Sequence, residues 1–466
     1  MTRQISRRRF LVGAGATAAA LPFLDVSDLT AEQPRPNFVF ILTDDQRWDA
    51  MSCMGNPLAR TPNIDSIARE GARFANAFVT TSLCSPSRAS FLTGRYASSH
   101  GVPNNLTKFN PSVPTFGSLL QGAGYDTSFI GKWHMATLGD PQPGWSHWVS
   151  FFDQGVYWNP LFNVDGKNVQ STGYVTDLLT DYAVEWLKQP RSAPFCLVLA
   201  HKAVHAEFAP AARHLNSLQD IEIKRPPSMD EPEDAKPAWV NKLRGKWDSQ
   251  EARQKIRDKI GSYYRTLMAV DDSVGRVMDT LREIGTLDNT VVVFAGDNGY
   301  FLGEHGLGDK RAMYEESIRI PFLMRYPRMI RAGSVPEQMV LNIDLCPTFL
   351  DLAGVKAPEG VQGVSLRPVM TGQESKWRDD WLYEYNWESE AKKRPGIRGI
   401  RTGRWKYITY LDDINTPELY DIKKDPMEMN NVINVPACSR VLEDMKARLE
   451  KWLDRCGRPA KEQSAK

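Results

Sequence analysis

Asn37-Phe38-Val39-Phe40-Ile41-Leu42-Thr43-Asp44-Asp45 decides the architecture of this chain. Phe38 to Leu42 is apolar without the alternation of a strand wetted on one face, so the run reads as a strand buried on both sides, as in a parallel sheet. It ends on two acids. In open α/β sheets ligands gather beyond the carboxyl ends of the strands, so Asp44 and Asp45 mark the edge at which to look for chemistry.

Two more runs repeat the pattern. Thr290 to Ala295 leads into Gly296-Asp297-Asn298-Gly299, and Pro194 to Ala200 leads into His201. Between them lie helical periodicities over Asn63 to Ala75, Thr115 to Gly122, Val175 to Lys188 and Glu251 to Ile284, the last with Leu267, Val270, Val274 and Val277 on one face. Strands alternating with helices predict an α/β fold, a large mixed and mostly parallel sheet sandwiched by helices. From about Glu374 the texture changes. Trp381 to Tyr385 and Trp405 to Tyr410 read as antiparallel strands, and Val441 to Leu453 as an amphipathic helix. The expected organisation is a catalytic domain over 34–373 and a smaller α+β subdomain over 374–466. The Pro-rich, acidic stretch from Pro226 to Lys236 reads as a surface loop.

With 466 residues and 42% apolar composition the chain can bury a large core. Its 58 basic and 56 acidic residues leave a formal charge of +2, which argues against a nucleic-acid partner. Cys53, Cys84, Cys196, Cys346, Cys438 and Cys456 show neither zinc spacing nor the density of a disulfide scaffold, and most read as small buried hydrophobes. Ser6-Arg7-Arg8-Arg9-Phe10-Leu11 precedes a mild apolar stretch to Leu24, too short to stay in a bilayer. It looks like a twin-arginine export signal with cleavage near Ala18-Ala19-Ala20; a basic amphipathic first helix is the alternative reading. Residues 1–33 are thus read as signal and linker. No later segment predicts stable membrane insertion, so the expected location is periplasmic or extracellular.

Cys84-Ser85-Pro86-Ser87-Arg88, followed by Ala89 to Thr93 and Gly94-Arg95, resembles the signature of the type I sulfatases. The resemblance implies an alkaline phosphatase-like fold and a Cys84 oxidised after synthesis to formylglycine by a formylglycine-generating or sulfatase-maturating enzyme. A hydrated aldehyde carries two hydroxyls on one carbon, so one can attack sulfur and the other can later expel sulfate, which a thiol cannot do. Asp44, Asp45, Asp297 and Asn298 are hard oxygen donors at two strand ends and suit one Ca²⁺ better than zinc. The resemblance makes them the metal ligands, with the modified Cys84.

Gly131-Lys132-Trp133-His134 resembles the family element in which the lysine holds sulfate and the histidine takes a proton from the hydrate. His201-Lys202-Ala203-Val204-His205 is similar to a segment that supplies a histidine to sulfate and the leaving oxygen, with His205 the first choice and His201 the second. Gly303-Glu304-His305-Gly306 leads to Lys310, which the resemblance makes a second sulfate-binding lysine. Arg88, one helical turn beyond Cys84, completes the positive lining. The likeness runs on through Ser317-Ile318-Arg319-Ile320-Pro321-Phe322 to Glu418-Leu419-Tyr420-Asp421. Met135-Ala136-Thr137 departs from it where relatives place an early glycine.

Pro143 to Gly166 holds Trp145, Trp148, Tyr157 and Trp158, whose flat faces suit sugar rings, and core packing explains them equally well. This stretch looks most like carbohydrate sulfatases related to N-acetylglucosamine-6-sulfatase, so a sulfated polysaccharide or glycosaminoglycan fragment is the expected substrate. Arg394, Arg398 and Arg401 can meet a uronate or second sulfate, or serve as ordinary surface charge. Three rivals stand beside this reading: a phosphonate or phosphate ester hydrolase on the same fold, an arylsulfatase with a small substrate, and a non-catalytic carbohydrate binder. The filled set of ligand and acid-base positions opposes the last.

Overall fold

The computed structural model describes residues 35–456, apart from 137–138, 220, 233–235, 246–248, 374–375, 387 and 389–393. The export signal expected over 1–33 lies outside the described residues. No helix among the described residues is long and apolar enough to cross a membrane.

The large sheet uses strands β1 (Asn37–Thr43), β2 (Ala72–Arg73), β3 (Asp126–Gly131), β4 (His147–Ser150), β5 (Leu161–Val164), β6 (Lys167–Gln170), β7 (Phe195–Ala200), β8 (Thr290–Gly296) and β9 (Phe322–Arg325). Their order is β2-β9-β8-β1-β7-β3-β4-β5-β6. β1 lies at the centre, parallel to β7 on one side and β8 on the other, and all seven of its residues are buried. In register, Leu42 faces Ala200 and Ala295, so the three chains leave the sheet at one level, and β1 and β8 deliver Asp44 and Asp297 together. Outside the parallel core, β9 pairs antiparallel with β8, β5 with β4 and β6 with β5, which makes the sheet mixed.

Helices cover both faces: α1 (Pro62–Glu70), α2 (Cys84–Thr93), α3 (Val175–Leu187), α4 (Gln250–Glu283) and α5 (Leu345–Leu352). One core joins α1, α3 and α4 to residues such as Val39, Ile41, Leu197 and Leu199. The other joins α2 and α5 to the alternate residues Phe38, Phe40, Cys196 and Val198. The period of two along each strand thus splits one apolar run between two cores. α1 stops well short of the expected Ala75. A Cβ on Gly71 would sit 2.2 Å from the Met324 carbonyl oxygen, because the chain turns there to lie against β9.

The C-terminal subdomain is an antiparallel sheet of β10 (Asp380–Tyr385), β11 (Ile397–Thr402), β12 (Trp405–Tyr410) and β13 (Glu418–Asp421), backed by α6 (Ser439–Cys456). Its core also takes Phe78, Leu83, Tyr96 and Leu341, so that the described residues from Arg35 on form one compact unit. The stretch Pro226 to Lys236 is not a plain surface loop. Ser228, Met229, Glu231 and Lys236 are buried, and Lys236 Nζ donates to Tyr420 Oη at 2.9 Å, tying this stretch to β13.

At the end of β3, Gly131 has φ +116°, and a Cβ there would lie 1.9 Å from the Ala200 carbonyl oxygen of β7. Gly131→Ala is therefore expected to lose roughly 3 kcal/mol of stability. Gly122→Ala, where a Cβ meets nothing within 4 Å, is the neutral control. Melting curves of the two variants check the contrast.

Candidate active site

The chain leaving β1 carries Asp44 and Asp45 into a pit closed by the first turn of α2. Backbone bonds fasten it there: Asp44 N–H donates to Ala203 O at 3.0 Å and Val204 N–H to Asp44 O at 2.8 Å, while Asp297 N–H reaches Thr43 O at 2.9 Å. From the helix side, Tyr263 Oη donates to Asp45 O and accepts from Arg47 N–H, both at 2.9 Å.

Cys84 opens α2 fully buried, with Sγ 3.5 Å from Asp44 Oδ1. Burial, with Asp44 beside it, pushes the thiol up to about 12, so it is no nucleophile at neutral pH. One turn on, Arg88 donates from Nε to Asp297 Oδ2 at 2.9 Å and from a terminal nitrogen to Asp44 Oδ2 at 3.1 Å. Lys132 Nζ pairs with Asp44 Oδ2 as well. Lys310 Nζ donates to both Asp45 oxygens, at 2.6 and 2.8 Å.

Three carboxylates thus sit together, fully buried, against three cations. The ligand atoms of Asp44, Asp45 and Asp297 lie within 4.8 Å of one another, as do those of Asp44, Cys84 and His205. Burial opposes ionisation of Asp44, yet Lys132, Arg88 and Lys310 outweigh it and hold the carboxyl well below its usual range. Burial, helped by Asp44 and Asp297 and opposed by Lys310, pushes Asp45 up to about 7. Asn298 supplies a separate sign. Its Nδ2 donates to Asp45 Oδ1 at 2.6 Å and to Gly299 O at 2.9 Å, which fixes the amide orientation, and its Oδ1 is buried without a partner. An oxygen left bare beside three clustered carboxylates is the donor set of a hard divalent cation.

Two histidines border this cluster. His205 Nδ1 lies 2.6 Å from Ala206 O and so carries the proton, leaving Nε2 bare and 3.8 Å from Asp45 Oδ2. Burial, then Lys132, pushes His205 down to about 2 and His134 down to about 4, so both are neutral. Gln154 Oε1 accepts from Lys132 Nζ at 2.6 Å, and its amide nitrogen therefore presents N–H to His134 Nε2 at 2.7 Å. Asp153 Oδ1 stands 3.1 Å from that same nitrogen. An imidazole that gains a proton at Nε2 exchanges the Gln154 donor for the Asp153 acceptor without moving.

This constellation joins Cys84, Arg88, Lys132, His134, His205, Lys310, Asp44, Asp45, Asp297 and Asn298. Residues 36–355 match the family model described as Sulfatase, and residues 303–455 the model described as N-sulphoglucosamine sulphohydrolase, C-terminal. The chain belongs to the sulfatase family. As a sulfatase it is a sulfuric ester hydrolase of alkaline phosphatase-like fold. It is 37% identical to the N-acetylglucosamine-6-O-sulfatase of Bacteroides thetaiotaomicron, over 90% of this chain and 86% of the relative. The solved structure of BT4656 in complex with its substrate D-glucosamine-2-N,6-O-disulfate matches with a TM-score of 0.83 at 35% identity, over 91% of this chain and 98% of that one. A phosphonate monoester hydrolase of Agrobacterium radiobacter shares the fold, with a TM-score of 0.77 at 22% identity, over 91% of this chain and 96% of that one.

Three residues expected to meet substrate do not reach this sulfatase's pit. His201 is fully buried on the α4 side of the sheet, with Nε2 3.1 Å from Ser273 Oγ, because its N–H continues the β1 ladder and turns the ring inward. Trp145 is packed edge-on against Phe116 and Phe129 and covers Gly117, so it is core. Arg398 is buried in β11 and donates to the carbonyls of Tyr385 and Ile397 and to Asn386 Oδ1. Arg401 is likewise paired, with Glu315. A cavity of about 1150 Å³, lined by Trp48, Tyr264 and Arg319 among others, includes none of the residues of the pit.

Sequence reading missed Gln154, Asp153 and Lys202. Lys202 stands 4.8 Å over the Tyr157 ring, donates to Gln154 O at 3.2 Å, and is pushed down to about 8 by burial and by Lys132. The one available signal was the polar pair Asp153-Gln154 inside an otherwise aromatic stretch. Gln154→Ala frees Lys132 and His134 together and is expected to lower kcat about 10- to 100-fold, with KM and melting temperature nearly unchanged. Steady-state kinetics beside a melting curve test this.

Proposed function

We propose that this protein hydrolyses a sulfate ester on a saccharide, with a 6-O-sulfated glucosamine as its first-choice substrate, at a formylglycine derived from Cys84 and a calcium ion. The observation that carries the reading is the Cys84 thiol held inert at the head of α2, 3.5 Å from a carboxylate cluster that also contains the bare oxygen of Asn298. The sugar class rests on the relatives, which act on N-acetylglucosamine-6-O-sulfate or bind D-glucosamine-2-N,6-O-disulfate.

Asp44, Asp45, Asp297 and Asn298 would hold the calcium. When bound, the aldehyde hydrate supplies an oxygen nucleophile, and the cation lowers that oxygen's pKa and draws charge from a sulfate oxygen. The protein's own groups do the rest. Arg88 keeps Asp44 and Asp297 at a fixed spacing through two donors of one planar guanidinium. Lys132 and Lys310 bring two ammonium groups to the pit, where they offer donors to sulfate oxygens. His134, neutral and with Asp153 waiting on Nε2, accepts the proton that must leave the hydrate. His205, with Nε2 open toward Asp45, must first gain a proton at that nitrogen, which the negative charge of an arriving sulfate ester favours, and would then give it to the departing sugar oxygen. Tyr157 Oη holds the His205 carbonyl at 2.6 Å and so fixes that ring.

Exposure to a maturation enzyme has to precede folding, because Cys84 is fully buried. With a twin-arginine signal, that modification takes place in the cytoplasm before export to the periplasm or beyond.

The test is sulfate release from defined substrates by the purified protein. N-acetylglucosamine 6-sulfate and glucosamine N,6-disulfate are expected to be cleaved in preference to 2-O- and 4-O-sulfated sugars, aryl sulfates and aryl phosphonates. Faster turnover of an aryl phosphonate would contradict the reading. Removal of divalent ions with a chelator is expected to abolish turnover, and calcium, not zinc, to restore it. Full activity of chelated protein shown free of metal by elemental analysis would exclude the ion.

A further inference from the structure

The aromatic stretch between Pro143 and Gly166 divides in the fold. Trp145, Trp148 and Tyr157 are core, whereas Phe152 is 62% exposed, Val156 53% and Trp158 46%. These three side chains belong to one short turn pinned to the pit at two points. Asp153 and Gln154, next to Phe152, touch His134; Tyr157, next to Trp158, holds the carbonyl of His205. Each exposed ring is therefore one residue away from a side chain that contacts a site histidine.

The turn is rigid. Gly155 N–H closes it on Phe152 O at 3.1 Å, and Val175 N–H and Gly173 N–H anchor Tyr157 O and Asn159 Oδ1 at 2.8 and 2.9 Å. Gly155 has φ +63°, and a Cβ there would strike the buried Phe151 ring at 2.5 Å. The Trp158 ring leans on Tyr174 with centroids 5.0 Å apart, so its orientation is set before any ligand arrives. Three apolar side chains fall far short of the roughly 20–30 residues per partner of a stable protein interface. A Trp158 ring held by Tyr174, with exposed Phe152 and Val156 on the same turn and polar Asp153, Gln154 and Asn159 between them, matches the alternating C–H faces and hydroxyl edges of a pyranose.

We propose that Phe152, Val156 and Trp158 form a saccharide platform beside the pit, which binds the sugar ring adjoining the one that bears the scissile sulfate. The proposal rests on the carbohydrate reading above and adds to it a preference for oligosaccharide over monosaccharide.

The experiment compares kcat/KM on a 6-sulfated N-acetylglucosamine monosaccharide with that on a tetrasaccharide ending in the same sulfated residue. Phe152→Ala and Trp158→Ala are each expected to lower kcat/KM for the tetrasaccharide about tenfold, mostly through KM, and to leave the monosaccharide within about twofold. Trp158→Phe, which keeps a flat ring, should restore most of the tetrasaccharide rate, and unchanged melting curves would show that the fold survives. Equal losses on both substrates, or none on either, would overturn the platform. So would unchanged kinetics together with loss of a dimer in sedimentation, since a second copy of the chain would then be the occupant. If the unaltered protein cleaves an aryl sulfate but neither saccharide, the carbohydrate reading fails first and the platform falls with it.

Discussion

Three carboxylates, those of Asp44, Asp45 and Asp297, are packed out of water against Arg88, Lys132 and Lys310, and the rest of the molecule is arranged so that this can be done. Charges this deep are costly to desolvate, and removing one partner of such a pair commonly costs about 3–5 kcal/mol. The cluster persists because every element that brings an acid also brings a restraint. β1 and β8 set Asp44 and Asp297 at one height, α2 inserts Arg88 between them, and Tyr263 from α4 fastens the backbone of Asp45. The central sheet, two helices and the chain after β3 therefore meet at one electrostatic object. Cys84 is placed by the same geometry, since the turn of α2 that presents Arg88 also buries the thiol against Asp44.

That object also explains the pattern of reactivity. A buried thiol beside a carboxylate is a poor nucleophile and two neutral histidines are poor acids, which is why the proposed chemistry is assigned to a modified residue 84 and a bound cation. The three acids and three cations balance, so a dication among them would leave the pit with two positive charges in excess, which favours an anionic ester. His134 then sits between an amide donor and a carboxylate acceptor, an environment that tolerates both its protonation states.

Much of this was legible in the sequence, for identifiable reasons. Phe38 to Leu42 and Val291 to Ala295 are buried on both faces, so their composition alone declares a parallel core strand, and the acids that follow are placed by the strand ends. α2 is legible because every defined position of the Cys84 motif is filled. What escaped depends on tertiary packing. His201 and His205 are the same residue type four positions apart, and the ranking of His205 first has its reason in packing: His201 continues the β1 ladder and turns toward Ser273, while His205 lies past the bonds that tie the loop to Asp44. Trp145 and Trp158 are the same residue type in one stretch, and only the packing of Phe116 and Phe129 decides which is core. The texture of the sequence changes near residue 373, but Phe78, Leu83 and Tyr96, far upstream of it, complete the core of the C-terminal sheet. Short antiparallel strands such as Leu161–Val164 carry too few residues for a periodic signal.

Everything turns on the chemical state of residue 84. Mass spectrometry of the proteolytic peptide spanning Cys84, from protein made in a host with a maturation enzyme, measures it directly. Loss of the sulfur and gain of an aldehyde that reacts with a hydrazide probe is the expected result, with the modified fraction tracking specific activity across preparations. A fully active preparation in which that peptide carries only an unmodified thiol would contradict the mechanism outright.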